Sequence, residues 1–202
     1  MIIEPSFVLL GSRNYVHSTT LMHFCLDFYK GNIDYCRLIF KKKLLAISRL
    51  YIEEGRENLV ENPNAIMYIS TGGKDYVISV KQMEAGDVIT DRVPYDEDAL
   101  VGTGVIDVIE KRIRIDVTYA DKIINVIVAA NKKLLLTLLD NEGMTGWNVG
   151  KWDIQWNSLV KAVEKYPLEI KLRNVLMGMY TKSDISVNGI VYGTIEFARQ
   201  KR

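Results

Sequence analysis

The sequence has few cysteines, few prolines and no long apolar run, and each shortage excludes a class of protein. Cys25 and Cys36 are the only thiols in 202 residues, too few for a disulfide framework, and their apolar surroundings predict reduced, buried side chains. Four prolines and 48% apolar residues indicate a chain that folds throughout its length. Apolar stretches such as 123–130 fall well short of the roughly 20 residues that cross a bilayer, so no transmembrane span is expected.

Net charge is also nearly absent, since 26 basic and 25 acidic side chains leave +1. Such a chain has no long-range field to attract nucleic acid or an anionic membrane, and we expect neither partner. The opening residues MIIEPSF contain an acid and a proline where a secretory signal needs a basic region and a longer apolar run. We therefore expect a cytoplasmic protein.

The histidines are few as well, and this limits the chemistry. His17 and His23 are the only two, and no serine stands in a nucleophile-elbow context, so no Ser-His-Asp triad can be argued. No group of residues has the spacing of metal ligands, so no metal site is predicted.

The first half predicts a short strand, a loop, a helix and then antiparallel strands. Ser6–Leu10 is a short apolar run, and from Thr19 to Tyr29 apolar side chains recur at helical spacing. Ser18 or Thr19 could cap the start of this helix, and Gly31 stands where it would stop. Strand-like runs follow at 33–40 and on both sides of the sequence TGGKD, which predicts a hairpin turn.

The second half predicts the same order of elements. Residues 84–98 are acidic and poor in apolar side chains, and we interpret them as a linker. The strict alternation of RIRIDVTY, residues 112–119, predicts a strand with one wet face. A long apolar helix over 123–139 follows, then a short helix at 158–165, a strand at 168–180, and a tight hairpin at Asn188-Gly189.

The helix over 123–139 is apolar on nearly every side, which a surface helix of a folded protein does not tolerate. A curved sheet would have to surround it. A single apolar helix wrapped by a curved antiparallel sheet resembles the hot-dog fold, and two copies resemble the double hot-dog proteins of the thioesterase- and dehydratase-like superfamily. The resemblance implies an α+β fold of two hot-dog-like units, residues 1–83 and 99–202, joined by the linker 84–98.

In hot-dog enzymes the loop before the central helix commonly carries a histidine, aspartate or asparagine. Here that loop, residues 14–19, contains His17. The resemblance implies His17 as a general base or water-orienting group, assisted by Asn14 and Ser18, with Asp121 from the second half as its acidic partner. The alternatives without a catalytic role are that His17 caps the helix and that Asp121 is itself an N-cap.

The resemblance also implies an acyl-CoA or acyl-carrier-protein substrate, a thioesterase or dehydratase activity, and no metal or redox cofactor. Lys41, Lys42 and Lys43 could bind the phosphates of such a ligand, and open sheet edges favour a homodimer. Because the family's His-Phe-Pro-Gly and Asp-x-x-Gly-His-x-Asn runs are absent, a catalytically silent ligand-binding or assembly protein is the main alternative. A weaker one is a nucleic-acid-binding protein that uses the lysines together with Trp147, Trp152 and Trp156.

Overall fold

The computed structural model of the chain describes residues 1–55, 59–84, 88–117, 122–139 and 146–199. The chain forms two compact units, Met1–Asp96 and Glu97–Arg202, and we call them unit 1 and unit 2. Each unit combines antiparallel strands with helices, so the fold class is α+β.

Unit 1 contains one helix, five strands of an antiparallel sheet and a separate parallel pair in its described part. The elements are β1 (Ile2–Ile3), β2 (Leu9–Leu10), α1 (Ser18–Phe28), β3 (Tyr35–Phe40), β4 (Ser48–Glu54), β5 (Ala65–Thr71), β6 (Lys74–Gln82) and β7 (Arg92–Val93). The sheet has the order β1-β4-β6-β5-β3, and β2 pairs with β7. The predicted turn at TGGKD is confirmed, because Gly72 and Gly73 have φ values of 55° and 77° between β5 and β6.

Helix α1 packs on the sheet of unit 1 through sulfur-containing side chains. The Cys25 thiol lies 3.6 Å from the Met67 sulfur of β5, and the Cys36 thiol of β3 lies 3.5 Å from the Met22 sulfur. Both cysteines are free and buried, as the sequence predicts. The helix begins one residue earlier than predicted and ends one residue earlier.

Unit 2 has three helices and six strands in its described part. The elements are α2 (Glu97–Leu100), β8 (Val105–Asp107), β9 (Arg112–Ile115), α3 (Ile123–Leu138), β10 (Asn148–Ile154), α4 (Trp156–Val163), β11 (Leu168–Leu176), β12 (Tyr180–Val187) and β13 (Ile190–Ala198). Its strands have the order β10-β13-β12-β11-β9-β8, and each neighbouring pair is antiparallel.

Helix α3 packs against β9 and β11, and ten of its residues are buried. The prediction that it is enclosed on nearly every side is too strong, because one side is open. Leu136 is 49% exposed, and Lys132 and Lys133 reach the Glu97 carboxylate and the Val101 carbonyl oxygen at 2.6 and 3.3 Å. This open side ends with the half-buried Leu138.

Several of the predicted boundaries are wrong. The strand predicted over 112–119 ends at Ile115, since residues 116 and 117 are not part of it. The strand predicted over 168–180 is two strands, because Met177 and Gly178 take left-handed φ values of 52° and 64° and reverse the chain. The short helix begins at Trp156 rather than at 158. The hairpin at Asn188-Gly189 is confirmed, with φ values of 48° and 78°.

The segment interpreted as a linker contains short elements. Leu9 and Leu10 pair in parallel with Arg92 and Val93, and residues 97–100 form α2. The pairing returns residues 91–95 to the loop that precedes α1. None of the helices in the described ranges combines the length and the apolar character needed to span a membrane.

Candidate functional site

The loop that leads into α1 is held in place by backbone hydrogen bonds on both sides. The Gly11 N–H donates to the Val93 carbonyl at 2.9 Å, and the Val16 N–H donates to the Leu44 carbonyl at 2.8 Å. From the exposed side, the Arg92 guanidinium donates to the carbonyl oxygens of Gly11 and Arg13 at 3.0 and 2.6 Å. The start of α1 therefore has a fixed position relative to β7 and to the lysine run.

His17 is the N-cap of α1 and is only 5% exposed. Its Nδ1 accepts from the Thr19 backbone N–H at 3.4 Å and lies 2.9 Å from the Thr19 hydroxyl. The capping alternative for His17 is therefore confirmed, and the expectation that Ser18 or Thr19 caps the helix is wrong. The contact with the Thr19 N–H is the one made by a neutral imidazole with its proton on Nε2, whereas the contact with the Thr19 hydroxyl suits either tautomer.

Aromatic and cationic side chains surround the imidazole. The ring centroids of Tyr15 and Tyr95 lie 6.4 and 5.8 Å from that of His17. The Lys43 ammonium lies 5.0 Å from the Tyr15 ring centroid, and the Arg13 guanidinium carbon lies 4.9 Å from that of Tyr95. Both of these side chains are cationic, and the start of α1 carries the positive end of the helix dipole.

Ser18 and Asn14 differ sharply in placement. Ser18 is the first residue of α1, and its buried hydroxyl has no hydrogen-bond partner among the described residues. Asn14 is exposed in the loop. The structure therefore brings Ser18 to His17 at the start of the helix and leaves Asn14 at the surface.

The lysine run joins the site through one member. Asn64 shapes the run, because its carbonyl oxygen accepts from the Lys41 and Lys42 N–H groups at 2.8 and 3.0 Å. Its side-chain amide donates to the Lys43 carbonyl at 3.2 Å. All three lysines are exposed, and Lys43 is the one that reaches Tyr15.

Asp121, the expected acidic partner, lies outside the described residues. Sequence reasoning missed Tyr15, Tyr95 and Arg92. Tyr15 stands two residues before His17 and could have been found from that spacing. Tyr95 and Arg92 stand in the segment interpreted as a linker, and nothing local indicates that this segment returns to β2.

The tryptophans do not offer the stacking surface that a nucleic-acid-binding function requires. Trp147, Trp152 and Trp156 are all buried, with Trp152 fully enclosed. The Arg199 guanidinium covers the Trp147 ring at 4.4 Å. The three tryptophans are buried side chains, and their use as a stacking surface for nucleic acid is therefore wrong.

No family model matches the sequence, and no curated protein matches it. Among solved structures, the chain is similar to the dehydratase domain of PpsC from Mycobacterium tuberculosis in complex with C12:1-CoA, with a TM-score of 0.49, 12% identity, and coverage of 98% of this chain and 93% of that chain. It is also similar to the 12:0-ACP thioesterase from Umbellularia californica, with a TM-score of 0.42, 8% identity, and coverage of 100% and 98%.

A third similar structure is a conserved protein of unknown function with a hot dog fold from Alicyclobacillus acidocaldarius. Its TM-score is 0.45 at 6% identity, and the match covers 94% of this chain and 88% of that chain. The three similar structures are thus named as a dehydratase domain, a thioesterase and a protein with a hot dog fold.

Proposed function

We propose that this chain is a double hot-dog protein that binds acyl thioesters, either acyl-CoA or acyl carrier protein, at the start of α1. Each unit places one long helix against antiparallel strands, α1 on β3 and β5 and α3 on β9 and β11. This repeated arrangement supports one hot-dog-like unit in residues 1–83 and another in 99–202, with 84–98 as the connection.

The observation that carries the proposal is the placement of the buried His17 side chain at the amino end of α1. The positive end of the helix dipole there stabilises a partial negative charge such as that of a thioester carbonyl oxygen. In the tautomer that accepts from the Thr19 N–H at Nδ1, the ring proton is on Nε2, and this is the proton that His17 would direct at the thioester. The Ser18 hydroxyl supplies a second polar group at the same helix end.

The cations beside the site fit the anionic part of the ligand. Lys43 and Arg13 lie on the two tyrosines that contact the His17 ring. They would bind the phosphates of coenzyme A or of the carrier-protein arm, with Lys41 and Lys42 farther along the same turn. A soluble, cytoplasmic location fits such a ligand.

The geometry favours a donor or water-orienting role for His17 over a general-base role. To act as a base, this tautomer would have to take the proton at Nδ1, and the helix cap would then be lost. That same observation favours a second candidate function, a catalytically silent ligand-binding protein of this fold. In the first candidate, a thioesterase or dehydratase, His17 orients water or polarises the carbonyl.

Calorimetric titration with a medium-chain acyl-CoA tests the binding proposal. His17→Asn keeps a capping side chain but removes the Nε2 donor, so we expect affinity to fall about 5- to 10-fold without loss of the fold. His23→Asn, in the middle of α1, is the matched control and should leave affinity unchanged. Unchanged affinity in His17→Asn would contradict the assigned site.

A comparison of two ligands tests whether the cations bind the phosphates of the ligand. Lys43→Gln should weaken acyl-CoA binding and leave unchanged the binding of the N-acetylcysteamine thioester of the same acyl group, which has no phosphates. Turnover of an acyl-CoA panel by wild-type protein and its loss in His17→Asn would establish the enzyme. Tight binding without turnover would establish the silent protein.

A further inference from the structure

Two neighbouring turns of unit 2 expose large apolar side chains. One turn, residues 108–111, joins β8 to β9, and the other, residues 177–179, joins β11 to β12. The exposed side chains are Val108, Ile109, Val175, Leu176, Met177 and Tyr180, and we call this set the apolar end. Their exposed fractions run from 44% for Val175 to 90% for Ile109.

The strand register places both turns at the same end of the sheet. Arg112 of β9 pairs with Lys171 of β11, and the Leu172 N–H donates to the Lys111 carbonyl at 2.9 Å. Beyond this point β11 runs on beside the 108–111 turn. It continues to the pair Leu176↔Tyr180, where the next turn closes with a 3.0 Å bond from the Met179 N–H to the Leu176 carbonyl.

Folding alone does not account for the residues at the second turn. Met177 has a φ of 52°, a conformation that costs most side chains free energy, and it is 81% exposed. The hairpin between β12 and β13 has a two-residue turn with Asn188-Gly189, the pair that suits left-handed turn positions. Met177 combines a left-handed backbone conformation with an exposed side chain, and other exposed apolar side chains lie beside it. This combination indicates a surface that binds a partner molecule or a membrane.

Cations outnumber acids around the apolar end. Ion pairs join Lys171 to Glu110, Arg173 to Asp184, and both Lys151 and Lys182 to Glu196. The cations of this group are Lys111, Arg112, Lys151, Lys171, Arg173 and Lys182, and the acids are Asp107, Glu110, Asp184 and Glu196, with Arg112 paired to Asp107 at 3.4 Å. An excess of positive charge therefore flanks the apolar side chains, although the whole chain has a net charge of only +1.

We propose that the apolar end of unit 2 docks on an anionic membrane surface. Projecting turns that expose aliphatic side chains, with cations behind them, can enter the boundary between headgroups and acyl chains. Tyr180 suits the headgroup level, where amphipathic rings are enriched. A symmetric contact with a second copy is disfavoured, since it would place two surfaces with the same excess of positive charge against each other.

This assignment differs from the expectation drawn from composition. The expectation of no membrane contact rests on the balanced charge of the whole chain. Surface attraction, however, acts over about a Debye length, roughly 10 Å at 0.1 M salt, so it depends on the local group of cations.

Sedimentation of the full-length protein with vesicles tests the proposal. Vesicles of equimolar phosphatidylcholine and phosphatidylglycerol should bind the protein, and vesicles of phosphatidylcholine alone should bind it far less. Raising the salt concentration should weaken binding to the anionic vesicles. The double variant Leu176→Ser, Met177→Ser should lose about tenfold or more in affinity, because two apolar side chains no longer leave water.

Ile190→Ser is the matched control, because Ile190 is 58% exposed beside the other hairpin turn and has no charged residue from 187 to 193. It should bind vesicles as the wild type does. If the double variant does not fold, Ile109→Ser at the first turn supplies the same comparison. The proposal is overturned if anionic vesicles do not bind the wild-type protein, or if they bind the apolar-end variants as well as they bind the wild type. A drop in oligomeric mass in the double variant, with vesicle binding unchanged, would overturn it in favour of a second copy.

Discussion

At the scale of single residues, His17 serves both the helix and the proposed ligand, and substitutions can separate the two roles. His17→Ala removes the acceptor for the Thr19 N–H and should lower the free energy of unfolding by about 1 kcal/mol. His17→Asn should retain most of that stability, since asparagine is a good N-cap. Urea denaturation of the three proteins measures the difference.

The matched control for this comparison is Asn14→Ala, in the same loop but exposed. It should leave the urea midpoint unchanged. If His17→Ala is as stable as wild type, the cap contributes nothing, and the tautomer that we assign from it would have no support.

Cys25 is predicted to be inert in the folded protein. Burial raises the pKa of its thiol well above the ordinary value of 9.0, and the nearby Cys36 thiolate charge raises it further. The folded state therefore keeps a proton that the unfolded chain loses above that ordinary value. The free energy of unfolding should accordingly be constant below about pH 8.5 and fall at higher pH by up to about 1.4 kcal/mol per unit for this group.

Denaturation at a series of alkaline pH values checks this dependence, with Cys25→Ala as the variant that removes the Cys25 contribution. A thiol reagent should label neither Cys25 nor Cys36 in the native protein and both in urea, because both are fully buried. Fast labelling of the native protein would show that the α1 interface opens.

The sequence indicated the histidine of the candidate site but not its surroundings. A polar loop before an apolar helical period marks the start of a helix, so His17 and Ser18 could be placed from local pattern. Tyr95 stands 78 positions after His17, and only the pairing of β2 with β7 brings it there. Contacts that depend on such long-range pairing have no local signal.

At the scale of elements, apolar periodicity predicted the long helices to within one or two residues. It failed at Met177-Gly178, because the first of the two left-handed positions there is a methionine, which does not favour a turn. At TGGKD and Asn188-Gly189, where glycine and asparagine stand at the left-handed positions, the turns were predicted correctly.

Helix α3 offers a direct test of which side is buried. Leu135 is fully buried and Leu136 is 49% exposed, so the two neighbours form a matched pair. Leu135→Ala should lower the free energy of unfolding by about 2–5 kcal/mol, and Leu136→Ala by much less. Thermal and urea melts of both variants check this, and equal losses would contradict the orientation of α3.

A second test concerns the close approach of β10 and β13. A Cβ atom at Gly193 would lie 2.9 Å from the Ile154 Cα and even closer to the Asp153 carbonyl oxygen, so the strands would have to separate. Gly193→Ala should therefore destabilise the fold by about 1–3 kcal/mol. Gly150→Ala, where the nearest atom would be 3.8 Å away, is the control and should have little effect.

At the scale of the whole molecule, the order of elements carried more information than any motif. Each unit has a long helix and antiparallel strands, and this order is what the sequence resembled before any residue of a site was assigned. Residue identities alone matched no family model. A hydrophobic core tolerates many apolar sequences, provided that volume and pattern are kept. The order of elements can therefore be recognised where no sequence motif is present.

The expected homodimer is a prediction at the same scale, and β8 gives it a location in unit 2. Among the strands that the structure describes, β8 pairs only with β9 and lies at the end of the strand order, and Val105 on it is 70% exposed. A strand edge of this kind can accept a strand from a second copy, with backbone hydrogen bonds along Val105–Asp107.

Light scattering after gel filtration should give twice the mass of 23.1 kDa. Val105→Lys, which places a charge on that edge, should give the single-chain mass without lowering the melting temperature of the monomer. A wild-type protein that elutes with the single-chain mass at all concentrations would contradict the prediction.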